Sequence, residues 1–406
     1  MFAAGHTVLL RSDGTAVACG RNLTGQCDIP ALDAGLTYMQ AAAGGQHTVL
    51  IRSDGTAVAF GRNEHDQCDV PALDEDLTYT QVAAGGQHTV LLMSDGTAVA
   101  CGQNQDGQCD VPALDAGLTY TRAAAGGGHT VLLVHDGTAV AFGDNVSRQC
   151  SVPALDAGLT YTQVAAGEHH TVLLRSDGAA VARCRNWNGQ CDVPALDAGL
   201  TYTQVAAGGQ HTILLRSDGA AVACGQNLNG QCEVPALDAG LTYAQAVLGF
   251  HHSVLLRSNG TAATCGLSNY GQCDVPVLDA GSTYTAPSPF PLLFLQASFD
   301  GGHVRFMTPS GAEHSRVLAG PAARLADVHG QLVAGQRPGA WRVDAVLPGG
   351  GLLSAAPAAA TVAAAFGPAG APEAQAGPQG AERPEGDASS RGRQCQFVAP
   401  CQCRIA

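Results

Sequence analysis

Residues Gly44–Tyr79 read GGQHTVLIRSDGTAVAFGRNEHDQCDVPALDEDLTY, and this stretch returns along the chain with little change. One histidine marks the register. His6, His47, His88, His129, His170, His211 and His252 stand 41 residues apart, with no insertion or deletion between them. A fixed period of this size belongs to stacked or radial repeats, in which copies of one supersecondary unit bury each other's apolar faces.

Within a unit, TYTQVAAGG is short, apolar and β-branched, and it reads as a strand ending in glycines. HTVLLRSDG has three consecutive aliphatic residues, as a central strand buried on both faces would. Asp-Gly predicts a type I′ hairpin. TAVACG then returns as the antiparallel partner, a GRNxxGQCDVP loop follows, and ALDAGL leads to the next unit. Three or four short strands in about 40 residues make one propeller blade. The first unit begins late and lacks the TYTQ strand. Ser282–Ala286, around a seventh tyrosine at Tyr284, is placed to complete the first blade and close the ring, although Pro287 cuts the strand short. Closure would leave no open sheet edge.

These residues resemble the repeat of the regulator of chromosome condensation family. The shared features are the Gly-Gly-x-His-Thr strand start, the Asp-Gly hairpin, the Gly-x-Asn turn and the Gly-Gln after it. The resemblance covers residues 1–286 and implies an all-β, seven-bladed propeller. Family members act as protein-docking scaffolds, as guanine-nucleotide exchange regulators of a small GTPase, or as propellers joined to HECT ubiquitin ligases. Exchange requires a protruding wedge, and the strict period leaves no insertion to build one. A HECT domain needs several hundred residues, and about 120 follow the propeller. The family's plant ultraviolet receptor relies on clustered tryptophans, whereas only Trp187 and Trp341 occur here.

After the repeats, residues 287–292 form a proline-rich linker. Residues 293–366 then show a strand (HVRFMT), a turn, a second strand (EHSRVLAG), a helical spacing of Leu325, Val328, Leu332 and Val333, and a further strand in WRVDAVLPGGG. This order resembles a small α+β ubiquitin-like (β-grasp) domain. Residues 367–406 are rich in Pro, Ala, Gly, Glu and Gln, too poor in large apolar side chains to form a core, and are read as a disordered tail.

Composition narrows the function. All 20 basic residues are arginine and the net charge is −14. A chain of this balance is not expected to bind nucleic acid. It has no stretch of 18 apolar residues and no secretory signal pattern, so the expected setting is the cytoplasm or nucleus without membrane attachment. The seven histidines are expected to be hydrogen-bonded between blades, since metal ligation needs three or four ligands converging on one point. Cys19, Cys101, Cys224 and Cys265 share a repeat position with Phe60 and Phe142, which marks an apolar packing site. Cys184 breaks this pattern, with Arg183 in the usual cysteine place. No asymmetric constellation for catalysis appears. No catalytic residue, cofactor or metal site is expected.

The repeats vary at the two residues before the Gly-Gln turn. There stand Leu23, Glu64 with His65, Gln105 with Asp106, Val146, Trp187, Leu228, and Asn269 with Tyr270. Loops on a rigid frame carry specificity, so this varied rim is the candidate partner-binding surface. The expected function is a non-catalytic protein-interaction scaffold that binds partners on the rim loops and on the ubiquitin-like domain, its partners ubiquitin-pathway components or a small GTPase. The alternatives are a fragment or non-catalytic relative of a propeller-containing HECT-type ubiquitin ligase, and a guanine-nucleotide exchange regulator of a small GTPase.

Overall fold

The computed structural model describes residues 5–184, 186–279 and 281–285 in full, and the backbone strands Leu293–Phe294, Gln296–Asp300, His303–Met307, Glu313–Leu318 and Gln402–Cys403. The chain divides into two compact units, Met1–Pro291 and Leu292–Ala406.

The first unit is a seven-bladed β-propeller, each blade a three-stranded antiparallel sheet. In blade 2 the strands are Tyr38–Ala43, His47–Arg52 and Ala57–Gly61, and the other blades repeat this arrangement. The first strand faces the axis. The middle strand is buried along nearly its whole length, and the outer strand is half-buried. This accounts for the unbroken aliphatic run of the middle strand, which has neighbours on both faces. The core lies between blades. Val8 and Leu10 of blade 1 pack with Tyr38, Ala41 and Leu50 of blade 2. Each blade also straps the one before it: the Tyr38 hydroxyl donates to the Pro30 carbonyl at 2.8 Å, and the Tyr161 hydroxyl to that of Pro153 at 2.9 Å.

The ring closes as the sequence suggests. Tyr284–Thr285 supplies the missing strand of blade 1, pairing Thr285 with Leu10 and Tyr284 with Arg11. Tyr284 also packs with Leu9, Val254 and Leu256, filling the seam between blades 7 and 1.

The hairpin differs from expectation. Arg11 and Thr15 pair through Arg11 N–H and the Thr15 carbonyl at 2.8 Å, and Gly14 N–H donates to the Arg11 carbonyl at 3.0 Å. The loop therefore has three residues, and only Gly14 has positive φ (81°). A type I′ turn needs positive φ at both central residues; this is the three-residue form with glycine in the left-handed position. The Asp13 carboxylate instead accepts from the Thr15 amide and hydroxyl at 2.8 and 2.7 Å. Those bonds hold the Asp13 carboxyl below the usual carboxylate range.

In the second unit, Gln296–Asp300, His303–Met307 and Glu313–Leu318 form an antiparallel meander. Leu293–Phe294 pairs antiparallel with Gln402–Cys403, at the end of the stretch read as a tail. The linker at 287–292, the expected helix over 325–333 and the strand after Trp341 lie outside the described residues, as does most of 367–406. Among the described residues no helix is long and apolar enough to cross a membrane.

Candidate functional site

The repeated histidines are frame. Each imidazole Nε2 meets the hydroxyl of the next blade: His6 with Thr48 at 2.9 Å, His129 with Thr171 at 2.9 Å, His211 with Ser253 at 2.8 Å. His252 meets Thr7 at 2.8 Å, so the series runs around the whole ring. Each hydroxyl also donates to the carbonyl of a buried glutamine, as Thr48 does to Gln26 at 2.7 Å. A hydroxyl has one proton to give. Nε2 must therefore be the donor, which assigns the neutral Nε2–H tautomer to all seven rings. Burial depresses their pKa to about 3 or about 4. Nδ1 lies buried without a hydrogen-bond partner. Among the described residues no group of three metal-ligating side chains converges.

The same glutamines fix the rim. The Gln26 carboxamide oxygen accepts from the Thr24 amide at 3.0 Å, and Gln67, Gln108, Gln190 and Gln272 hold the amides of His65, Asp106, Asn188 and Tyr270 in the same way. Asn22 adds a second clamp, accepting from the Cys27 amide at 2.8 Å and donating to Asp28 at 2.7 Å. The backbone of each loop is thus held by buried or paired groups, while the variable side chains project outward.

Glu64, Gln105, Asp106 and Asn269 are exposed and His65 is half-buried. Leu23, Val146, Trp187, Leu228 and Tyr270 are 75%, 69%, 79%, 87% and 55% exposed. Five of the six large apolar side chains exposed among the described residues therefore fall at these loop positions, the sixth being Val277. The arginine of Arg21 lies 5.5 Å over the Tyr270 ring, joining the rims of blades 7 and 1.

Towards the axis, on the same face, lies a ring the sequence reading did not single out. The Gly-Gly-Gln turns meet there through backbone bonds between blades, such as Gly45 N–H to the Gly85 carbonyl at 2.9 Å. A Cβ on Gly45 would sit 2.3 Å from the Gly86 carbonyl oxygen, which explains the glycines. Four units break the pattern in sequence: the first reads Ala3-Ala4-Gly5, and the others carry Gly128, Glu168–His169 and Phe250–His251. Asp106, Asp144, Glu168, His169 and Phe250 line a depression of about 340 Å³ at this mouth. His169 stands 3.8 Å from Asp144 and 3.7 Å from Glu168. Burial raises the Glu168 carboxyl. The departures from Gly-Gly-Gln were the readable signal.

Beneath the mouth an axial cavity of about 240 Å³ is lined by Gln40, Gln81, Arg122, Gln163, Gln204 and Gln245. Gln81 accepts from the Ala123 amide of the next blade at 2.8 Å. An arginine side chain has no acceptor, so Arg122 cannot make this bridge to blade 5. Burial lowers its pKa to about 9.

Blade 5 holds the main departure from the sequence reading of the cysteines. Cys184 occupies the place of Gly20, Gly61 and their copies, and it forms a disulfide with Cys191. The glycines there have φ of 100–115°, and a Cβ on Gly61 would lie 2.6 Å from the Gln46 carbonyl oxygen. Cys184 brings such a Cβ. The outer strand accordingly stops at Arg183, and the middle strand starts at Thr171 rather than at the histidine. The disulfide spans the loop that carries Trp187. In the other blades the matching thiol instead donates to a backbone carbonyl, as Cys109 does to Gln103 at 3.3 Å. Burial pushes the free thiols up, Cys109 to about 11 and, at the other cysteine position, Cys101 to about 12, so they are poor nucleophiles. Peptide mapping without reductant is expected to recover Cys184 and Cys191 in one linked peptide. Full alkylation of both without reductant would disprove the pairing.

Comparison with known proteins agrees with this geometry. Residues 40–67, 79–108 and 202–231 match the model of the regulator of chromosome condensation (RCC1) repeat. No curated protein matches the chain significantly. Among solved structures, the yeast RCC1 protein Prp20 bound to Kap60 is similar, with TM-score 0.51 and 20% identity over 62% of this chain and 74% of that one. Prp20p of Saccharomyces cerevisiae, described with its binding to Gsp1p and histones, gives TM-score 0.52 and 19% identity over 62% and 76%. Human WBSCR16 gives TM-score 0.53 and 17% identity over 62% and 84%. At these identities the likeness is one of fold. The repeat model matches three of the seven copies of the 41-residue unit, and the seven copies together form a propeller of the same fold as these structures.

Proposed function

We propose that the chain is a non-catalytic docking scaffold that seats protein partners on the loop face of its propeller. The carrying observation is the concentration of exposed apolar side chains at two adjacent repeat positions, on loops whose backbones are held rigidly. Large exposed apolar patches mark interaction sites, and aromatic anchors such as Trp187 and Tyr270 are enriched among residues that dominate binding. The protein partners named for Prp20 in the two yeast structures fit a docking role for this fold.

Trp187→Ala combined with Leu228→Ala is expected to cut recovery of captured partners by roughly tenfold or more, since anchors of this kind are worth about 2 kcal/mol or more each. The melting temperature should stay unchanged, because both side chains lie outside the core. Unchanged recovery would refute rim docking. The likeness to Prp20, described with Gsp1p, also motivates a second reading, guanine-nucleotide exchange on a small GTPase. Accelerated nucleotide release by the purified chain would establish that reading in place of the first.

A further inference from the structure

The loop face is uneven around the ring, and its two halves differ in chemistry. Blades 4, 5, 6, 7 and 1 carry Val146, Trp187, Leu228, Tyr270 and Leu23, one exposed apolar side chain on each of five consecutive blades, since blade 7 adjoins blade 1 through Tyr284. Blades 2 and 3 carry no exposed large apolar side chain at these positions. An exposed carboxylate recurs on six loops (Asp28, Asp69, Asp110, Asp192, Glu233 and Asp274), and blades 2 and 3 add Asp66, Asp106 and the Arg62-paired Glu64 to it, an excess that continues inward through Asp144 to Glu168 at the axial mouth. Arg62 is paired with Glu64, which leaves Arg148 as the other arginine on this arc.

From this division, and resting on the docking reading above, we propose that the occupant of the loop face is a partner surface with apolar anchors flanked by basic side chains. The apolar anchors sit over blades 4 to 1, and the basic flank faces blades 2 to 4. Complementary potentials steer encounter and fix orientation. A second copy of this chain is a poor occupant. Its own face would set Glu64, Asp66 and Asp106 against like charges, in a molecule whose net charge is −14, and like-charge contact opposes association.

The test uses the full chain with Trp341→Phe, which leaves Trp187 as the single tryptophan. Two synthetic amphipathic peptides serve as probes, one with leucine on one face and arginine on the other, its twin with glutamate for arginine. The arginine peptide is expected to shift Trp187 fluorescence. Its affinity should fall roughly tenfold between about 50 and about 300 mM salt, as screening of exposed charges requires. Glu64→Gln with Asp106→Asn should weaken binding at low salt and flatten the salt dependence. Equal binding of the glutamate twin, salt-independent binding, no binding of the arginine peptide, or a dimer in sedimentation at low salt each overturns the basic partner. Calorimetric binding that survives Trp187→Ala with Leu228→Ala overturns the docking reading itself.

Discussion

Acidification will unfold the propeller cooperatively, with a midpoint between about pH 5 and pH 6 and an uptake of roughly seven protons. The cause is the ring of histidines. In the folded chain each is neutral, because burial depresses its pKa from 6.5 to about 3 or about 4. In the unfolded chain each takes a proton near pH 6.5. The stability they contribute is complete above that value and is lost as the pH falls towards the folded pKa. Each costs about 1.4 kcal/mol per pH unit in that window, so seven acting together cost roughly 10 kcal/mol per unit. A typical domain has about 5 to 15 kcal/mol to lose. Protonation also has no structural outlet. Nε2 already donates to a hydroxyl, and the Nδ1 edge faces the glycine of its own turn, where a Cβ on Gly44 would lie 2.6 Å from His47 Nδ1. Circular dichroism against pH, with potentiometric proton uptake, reads both quantities. A chain that stays folded at pH 4.5, or takes up only one or two protons on unfolding, would refute this account.

Gly102→Ala is expected to destabilise the fold by roughly 3 kcal/mol or more, the range of combined backbone strain and core collision. Gly102 has φ of 115°, and a Cβ there would lie 2.5 Å from the Gln87 carbonyl and 2.6 Å from His88 Cα. Both obstacles are backbone, of the buried turn residue Gln87 and of His88 at the start of the middle strand, and cannot step aside as a side chain can. Gly117→Ala is the control. Its φ is 87°, but nothing lies within 4 Å of the added Cβ, so it should cost only about 1 kcal/mol of left-handed strain. Urea unfolding of the two variants separates collision from backbone preference. Equal losses would show that packing at Gly102 is unimportant. Blade 5 already shows what a side chain does here: with Cys184 in this place, strand pairing stops one residue early.

Much of the fold was legible because the repeat is so regular. Period, strand order, ring closure by Tyr284 and the interblade role of the histidines all follow from in-register copies. The hairpin type was misread because Asp-Gly serves two loop lengths, and only the Arg11–Thr15 pairing decides between them. The rim was legible as variation against a constant background, and the structure adds why the background is rigid: Gln26 and its copies are buried and hold the loop amides. Two features were visible in the letters yet not read. Glu168–His169 and Phe250–His251 replace the Gly-Gly-Gln turn, but only the geometry brings those turns together at the axis. Cys184 stands seven residues before Cys191, but its partner becomes evident only once it is aligned with glycines of positive φ.

The pairing of Leu10 and Arg11 with Thr285 and Tyr284 has a consequence for how the molecule comes apart. An open array of repeats can unzip from its ends, one unit at a time, because each unit touches only its neighbours. A closed ring has no terminal unit to fray. Losing any one blade exposes two unpaired flanks at once, so the seven nearly identical units share a single fate and partial unfolding is suppressed.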